Sequence, residues 1–246
     1  MRVALIYLAA ITIAEVVTVL VQPVWGIAIH IVVLAAVIVH SALASEPRLQ
    51  QLALSLALVP LVRIISLCMP LANIPLVWQY PITYAPLLIA AVLVIRILGY
   101  SREDVGLTFR LSTVQLAVAL SGLALGVIEY LILTEEAEAA GLILQETRLM
   151  AAFLLLVCTG FGEELIFRGV LQRSAVAAFG NWGIVYVSLL FAIVHLIHHS
   201  AIDIAFVFVI ALFFGWVVKK TGSLLGVTLS HGITNIILYL VLPFFF

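Results

Sequence analysis

Two adjacent glutamates, Glu163 and Glu164, stand in an apolar stretch of the chain, and Arg168 follows four residues after the second. Neighbouring residues on a helix point about 100° apart, so the two carboxylates cannot share one role. Glu164 and Arg168 are spaced one helical turn apart and can form an ion pair. This pairing neutralises one carboxylate and leaves Glu163 free to act as a general base.

Three more polar residues, His195, His231 and Asn235, lie in later apolar stretches. His231 and Asn235 are four residues apart and therefore project from the same helix face. At 1.5 Å per residue, these three residues and Glu163 fall roughly 12–20 Å below the proposed cytoplasmic boundary. Unpartnered polar groups cannot face lipid, so the common depth predicts a polar cavity reached from the cytoplasm.

The composition indicates whether the protein that carries these residues is surrounded by water or by lipid. The chain of 246 residues is 65% hydrophobic and 9% charged, with a mean hydropathy of +1.33, whereas soluble domains carry about 25% charged residues. The apolar runs are long and unbroken, which favours membrane helices over the short alternating strands of a barrel. The sequence has no basic patch for nucleic acid, so lipid is the expected surrounding partner.

The apolar runs predict an all-α, polytopic transmembrane bundle of about nine spans, with eight as the alternative count. We predict one transmembrane domain over residues 1–246, with accessory helices in 1–99 and the functional core in 100–246. The predicted spans are 3–20, 24–44, 50–71, 80–99, 113–133, 148–176, 183–198, 201–218 and 223–243.

The distribution of lysine and arginine predicts the orientation in the membrane. A cytoplasmic N-terminus and an outside C-terminus place nine of the eleven basic residues on the cytoplasmic side. The segment 134–146, predicted as an outside loop, contains four glutamates and no basic residue. The nine cytoplasmic residues are Arg2, Arg48, Arg96, Arg102, Arg110, Arg168, Arg173, Lys219 and Lys220.

Other ionisable residues in the spans predict structural contacts. Glu15 and Arg63 lie at matching depth, which suggests a buried ion pair between their helices. Glu129 lies near the outer end of its span and is expected at the interface. His30 and His40 are isolated in the sequence and are interpreted as structural.

Three motifs follow one another on the late predicted helices: EExxxR from Glu163, FxxxH from Phe191 and HxxxN from His231. This pattern resembles the CPBP family, the CAAX proteases and bacteriocin-processing enzymes that are also called the Abi family. The resemblance extends over about residues 100–240 and includes the segment Val105-Gly106-Leu107. The first four predicted spans do not contribute to it.

The resemblance implies an intramembrane endopeptidase in which Glu163 is catalytic and His195 is its partner in activating water. In such an enzyme His231 and Asn235 stabilise the oxyanion. The residues implied to support the site are Glu164, Arg168 and Phe191. The expected substrate is a peptide or protein with a membrane-associated or lipidated segment, and the expected location is a prokaryotic plasma membrane.

The cofactor stays open between two interpretations. Glu163, His195 and His231 would suffice as three ligands of a zinc ion, with water in the fourth position. Without a metal, Glu163 and His195 would polarise water directly, while His231 and Asn235 would donate hydrogen bonds to the oxyanion. The spacing does not decide between Zn²⁺ and no metal, and the sequence contains no HExxH motif.

Two other function classes compete with hydrolysis. A proton-coupled transporter also uses intramembrane glutamate and histidine, but such carriers favour broken helices in repeated halves. The polar residues here are confined to the last third of the chain. A non-catalytic scaffold or immunity protein would have no use for the full set of polar residues.

Overall fold

The computed structural model describes residues 2–109 and 111–245, and this part of the chain folds into helices without a strand. Arg110, which the orientation prediction counts as cytoplasmic, lies outside the described residues. The α-helices are α1 (Arg2–Leu20), α2 (Pro23–Leu43), α3 (Pro47–Leu56), α4 (Leu58–Cys68), α5 (Leu76–Ile97), α6 (Thr113–Ile132), α7 (Thr134–Leu144), α8 (Arg148–Leu154), α9 (Gln172–Phe179), α10 (Trp182–Val194), α11 (Ala201–Thr221) and α12 (Leu225–Ile236).

The polytopic helical bundle predicted from hydropathy is confirmed. Within the described residues, eight helical segments are long and apolar enough to cross a membrane. A ninth, Trp182–His198, is apolar but shorter. Helices α3 and α4 together form one of the eight, and they meet at Ala57. Pro60 causes this break, because it has no N–H to donate to the carbonyl of Leu56 one turn earlier.

The segment 134–146 differs from its prediction. We predicted a loop, but Thr134–Leu144 forms α7 and continues without interruption into the helical stretch that ends at Phe179. Glu135 and Glu136 occupy the first turn of α7, where negative charge is favourable to the helix dipole. A Cβ placed on Gly141 would lie 2.7 Å from the Cβ of Pro243, so α7 packs closely against the C-terminal segment.

The helix that carries Glu163 and Glu164 is wound more widely than an α-helix. Leu155–Glu163 and Leu165–Leu171 adopt π-helical geometry, with hydrogen bonds from residue i to i+5. Such turns are rare and often occur at functional sites. A shorter π-helical turn occurs at Ile237–Val241. Turns of 3₁₀-helix occur at Gln145–Thr147, His195–His198 and Leu242–Phe244.

The ion pair predicted between Glu15 and Arg63 is confirmed. Arg63 Nε donates to the two carboxylate oxygens of Glu15 at 3.0 and 2.9 Å. His30, isolated in the sequence, has a partner in the fold, because its Nε2 lies 3.3 Å from Glu15 Oε1. His40 also has a partner, the hydroxyl of Tyr7 at 3.0 Å from Nδ1. The pairings of both histidines connect α2 to α1, a tertiary contact that sequence spacing does not encode.

The segment that contains Val105-Gly106-Leu107 contacts both the helix of Glu163 and the start of α12. Val105 is buried, and a Cβ on Gly169 would lie 2.9 Å from its carbonyl oxygen. The carbonyl of Gly106 accepts a hydrogen bond from the backbone N–H of Leu224 at 2.9 Å, just before α12 begins. At the start of this segment, the backbone N–H of Ser101 donates to Asp104, which lowers the pKa of that carboxyl.

Candidate active site

Close backbone contact brings the helix of Glu163 against α12, which carries His231. A Cβ on Gly160 would lie 2.9 Å from the carbonyl oxygen of Thr228 and 3.0 Å from the Cα of Gly232. A Cβ on Gly232 would lie 3.0 Å from the Cα of Leu156. Small residues allow such an approach between membrane helices, and here they place the side chains that follow within reach of one another.

Glu164 is the buried centre of a polar network. Its Oε1 accepts hydrogen bonds from Arg168 Nη1 at 3.2 Å and from His231 Nδ1 at 2.9 Å. The predicted pairing of Glu164 with Arg168 is therefore present, and both side chains are buried. Because a carboxylate can only accept, His231 carries its proton on Nδ1, and its Nε2 points away from Glu164.

Glu163 lies outside this ion pair and is partly exposed. Its side chain is 20% exposed, whereas that of Glu164 is fully buried. Glu163 Oε2 lies 3.9 Å from His231 Nε2, beyond a hydrogen bond but close enough for both to contact one bound molecule. The hydroxyl of Tyr84 donates to Glu163 Oε1. The two glutamates therefore have the different environments that their spacing predicted.

Sequence reasoning did not find Tyr84. It lies in α5 between Pro81 and Pro86, 79 positions before its partner Glu163. A tyrosine at this position has no spacing relation to the three motifs. Only the packing of α5 against the helix of Glu163 reveals the contact.

His195 stands where α10 ends and a 3₁₀ turn begins. Its Nδ1 lies 2.8 Å from the carbonyl oxygen of Phe191, so Nδ1 donates the proton and Nε2 keeps its lone pair. The ring of Phe191 lies 4.8 Å from the ring of His195 and 6.2 Å from that of His231. Arg168 Cζ lies 4.0 Å from the centre of the same aromatic ring. Phe191 thus holds a position between the two histidines.

A small cavity of about 40 Å³ lies between Glu164, His195 and His231, and Glu163 is not part of its lining. Its polar lining consists of Glu164, Arg168, His195, His231, Thr234 and Glu129. This volume has room for a few water molecules, and the lining offers them several hydrogen-bonding partners. Glu129 borders this cavity from α6, and its predicted position near the membrane interface stays a prediction. The helix α6 packs directly on α12, which turns Glu129 inward.

Asn235 is turned toward the helix of Glu163. Its Nδ2 donates to Thr159 Oγ1 at 2.8 Å, and Thr159 in turn donates to the carbonyl of Leu155. Asn235 is not part of the cavity lining that contains His195. An amide nitrogen has two hydrogens, so the bond to Thr159 leaves one N–H of Asn235 for another acceptor.

The donor geometry does not fit the zinc interpretation. Among the residues that the structure describes, no three histidine, cysteine, aspartate or glutamate side chains are grouped closely enough to hold a metal ion. Of the three proposed ligands, Glu163 and His231 come within 3.9 Å of each other, but His195 does not complete a group of three with them.

Residues 145–237 match a family model described as type II CAAX prenyl endopeptidase, Rce1-like. This segment of the chain is therefore similar to the CAAX prenyl endopeptidases, in line with the resemblance to the CPBP family. The match covers less than half of the chain, but it contains all four residues predicted to be catalytic: Glu163, His195, His231 and Asn235. Neither a curated protein nor a solved structure matches the chain. Helices α1–α6, with Tyr84 and Arg63, lie before the matched segment.

Proposed function

We propose that the protein is an intramembrane endopeptidase in which Glu163 activates a water molecule for attack on a peptide bond. The observation that carries this proposal is the unequal environment of the two glutamates. Glu164 is buried and paired with Arg168 and His231, whereas Glu163 is partly exposed beside the free nitrogen of His231. A general base needs a carboxylate that substrate can reach and that no ion pair already holds, and of the two glutamates only Glu163 is partly exposed and outside the ion pair.

The proposed reaction begins with water held between Glu163 and a histidine nitrogen. As the water oxygen attacks the carbonyl carbon, Glu163 takes its proton, and the carbonyl oxygen becomes an oxyanion. The proton on Glu163 is then transferred to the leaving amine as the C–N bond breaks. His195 Nε2, with its lone pair free, can accept a hydrogen bond from the attacking water.

We propose His231 and Asn235 as the groups that stabilise the oxyanion. Protonated His231 would donate from Nε2, and the carboxylate of Glu164, at 2.9 Å from Nδ1, would stabilise the imidazolium. Asn235 would contribute the N–H that its bond to Thr159 leaves free. The role of Arg168 and Phe191 would be to hold Glu164 and His195 in place.

The substrate that fits a family of CAAX prenyl endopeptidases is a membrane-associated or lipidated peptide or protein. The test uses the full chain reconstituted in liposomes and a farnesylated peptide that ends in a CAAX sequence. Mass spectrometry should detect a new peptide end with the wild-type protein and none with empty liposomes. As a second arm, peptide ends of a host membrane proteome are compared with and without the protein. The absence of new ends in both arms would contradict the proposal.

The charge distribution supports a cavity that opens toward the cytoplasm, with the N-terminus on the same side. The helical segments that could cross the membrane, counted with the shorter Trp182–His198, are nine in the described chain. An odd number puts the C-terminus outside, so a reporter fused after Phe246, which lies outside the described residues, should be active only in the external compartment. Alkaline phosphatase and green fluorescent protein fusions measure this directly, and fluorescence from the latter would refute the proposed orientation.

A further inference from the structure

Helix α10 is shorter than the thickness of the membrane core. Its 13 residues span about 20 Å, while the hydrocarbon core is about 30 Å thick. The last carbonyls of a helix have no donor within the helix, and in the membrane they must find one in the protein. His195 Nδ1 donates a hydrogen bond to the carbonyl of Phe191. The final carbonyl, that of Val194, accepts a hydrogen bond from another part of the chain.

That donor is Arg63 of α4. Its Nη2 donates to the carbonyl of Val194 at 2.6 Å, and the same nitrogen lies 2.8 Å from Glu15 Oε2. Glu15, His30 and Arg63 come from α1, α2 and α4, and each is less than 7% exposed. The cluster thus joins three helices of the N-terminal third to the residue directly before His195.

We propose that Arg63 is a positioning residue for His195, held in place by Glu15 and His30. This inference rests on the proposed function, because it assigns a role to a group that acts through the proposed catalytic histidine. The guanidinium fixes the Val194 carbonyl, and this bond sets where α10 ends and how the following 3₁₀ turn directs the imidazole. Helices α1, α2 and α4 are then part of the catalytic assembly, although they precede the matched segment.

The alternative is that the cluster only holds α1, α2 and α4 together. The two roles can be separated by experiment. When a buried ion pair is replaced by apolar residues of similar size, the free energy of unfolding often stays nearly unchanged. Replacing Glu15 and Arg63 together with methionine removes both charges and also the donor to Val194. A purely structural cluster would then leave catalysis intact, whereas a positioning residue would not.

We expect E15M/R63M to unfold at nearly the wild-type temperature but to cleave the farnesylated peptide with a kcat about 10- to 100-fold lower and a KM within about twofold. A displacement of about 1 Å can cost about 100-fold in rate. The matched control is Y186F, which removes a different hydrogen bond between α10 and an N-terminal helix, that from the Tyr186 hydroxyl to the Ala4 carbonyl of α1 at 3.1 Å. Y186F should keep the wild-type kcat.

Two further measurements keep the test decisive. If E15M/R63M does not fold, the charge-reversed E15R/R63E restores an ion pair without a donor to Val194, and it should recover folding but not kcat. Exchange of the imidazole C2 proton, followed by mass spectrometry, is independent of activity. Its rate should change at His195 and stay constant at His40. Wild-type kcat in a folded double variant, or unchanged exchange at His195, would overturn the proposal, even if the protein proves not to be a protease.

Discussion

Replacing Glu163 with glutamine should lower kcat by about 10²- to 10⁴-fold, the usual contribution of a general base, while the protein remains folded. Glutamine has nearly the same shape, and its amide oxygen can still accept the hydrogen bond that Tyr84 donates to Glu163. It cannot take a proton from water. The measurement is the initial rate of cleavage of the farnesylated peptide in liposomes, with folding checked by thermal unfolding in detergent.

The control for this substitution is E136Q, which makes the same chemical change on α7. Glu136 accepts from His198 Nδ1 at 2.9 Å, and His198 is not one of the residues proposed to be catalytic. E136Q should retain nearly the wild-type rate, so a loss confined to E163Q would be due to the position of Glu163. Cleavage by E163Q at the wild-type rate would remove Glu163 from the mechanism and, with it, the proposed function of this site.

The global architecture was accessible from the sequence because lipid imposes a simple condition on composition. Each span must be apolar for about 20 residues, and polar interruptions therefore mark the ends of helices. Glu164 and Arg168 could be paired because a fixed periodicity relates residues four apart. Glu15 and Arg63 could be paired because isolated charges at matching depth must find each other.

The remaining features depend on tertiary contacts that no local pattern records. The contact of Tyr84 with Glu163 results from how α5 packs on the functional core, and Glu129 faces the cavity because α6 lies against α12. The wrong prediction of a loop in place of α7 has a different cause. Glutamates were interpreted as the polar residues of a loop, but they are also good helix formers, and Gly141 allows close packing on the C-terminal segment.

The Glu164–Arg168 pair should give the largest effect on stability among single substitutions at the site. In R168M, Glu164 keeps its buried charge and loses its cationic partner, a change that typically costs about 3–5 kcal/mol of unfolding free energy. The side chains of both residues are almost fully buried, so water cannot compensate for the lost ion pair. Unfolding by sodium dodecyl sulfate in mixed micelles measures the loss.

The double variant E164M/R168M separates the structural contribution of this pair from its contribution to catalysis. With both charges absent, most of the lost stability should return, because methionine fills the same volume without a desolvation cost. Activity should stay about 100-fold below wild type, because His231 Nδ1 no longer has the carboxylate that orients it at 2.9 Å. The single variant E164Q offers an amide oxygen to His231 without the charge and should be intermediate in activity. If activity returned together with stability in the double variant, Glu164 and Arg168 would serve only to hold the helices, and His231 would need another source of orientation.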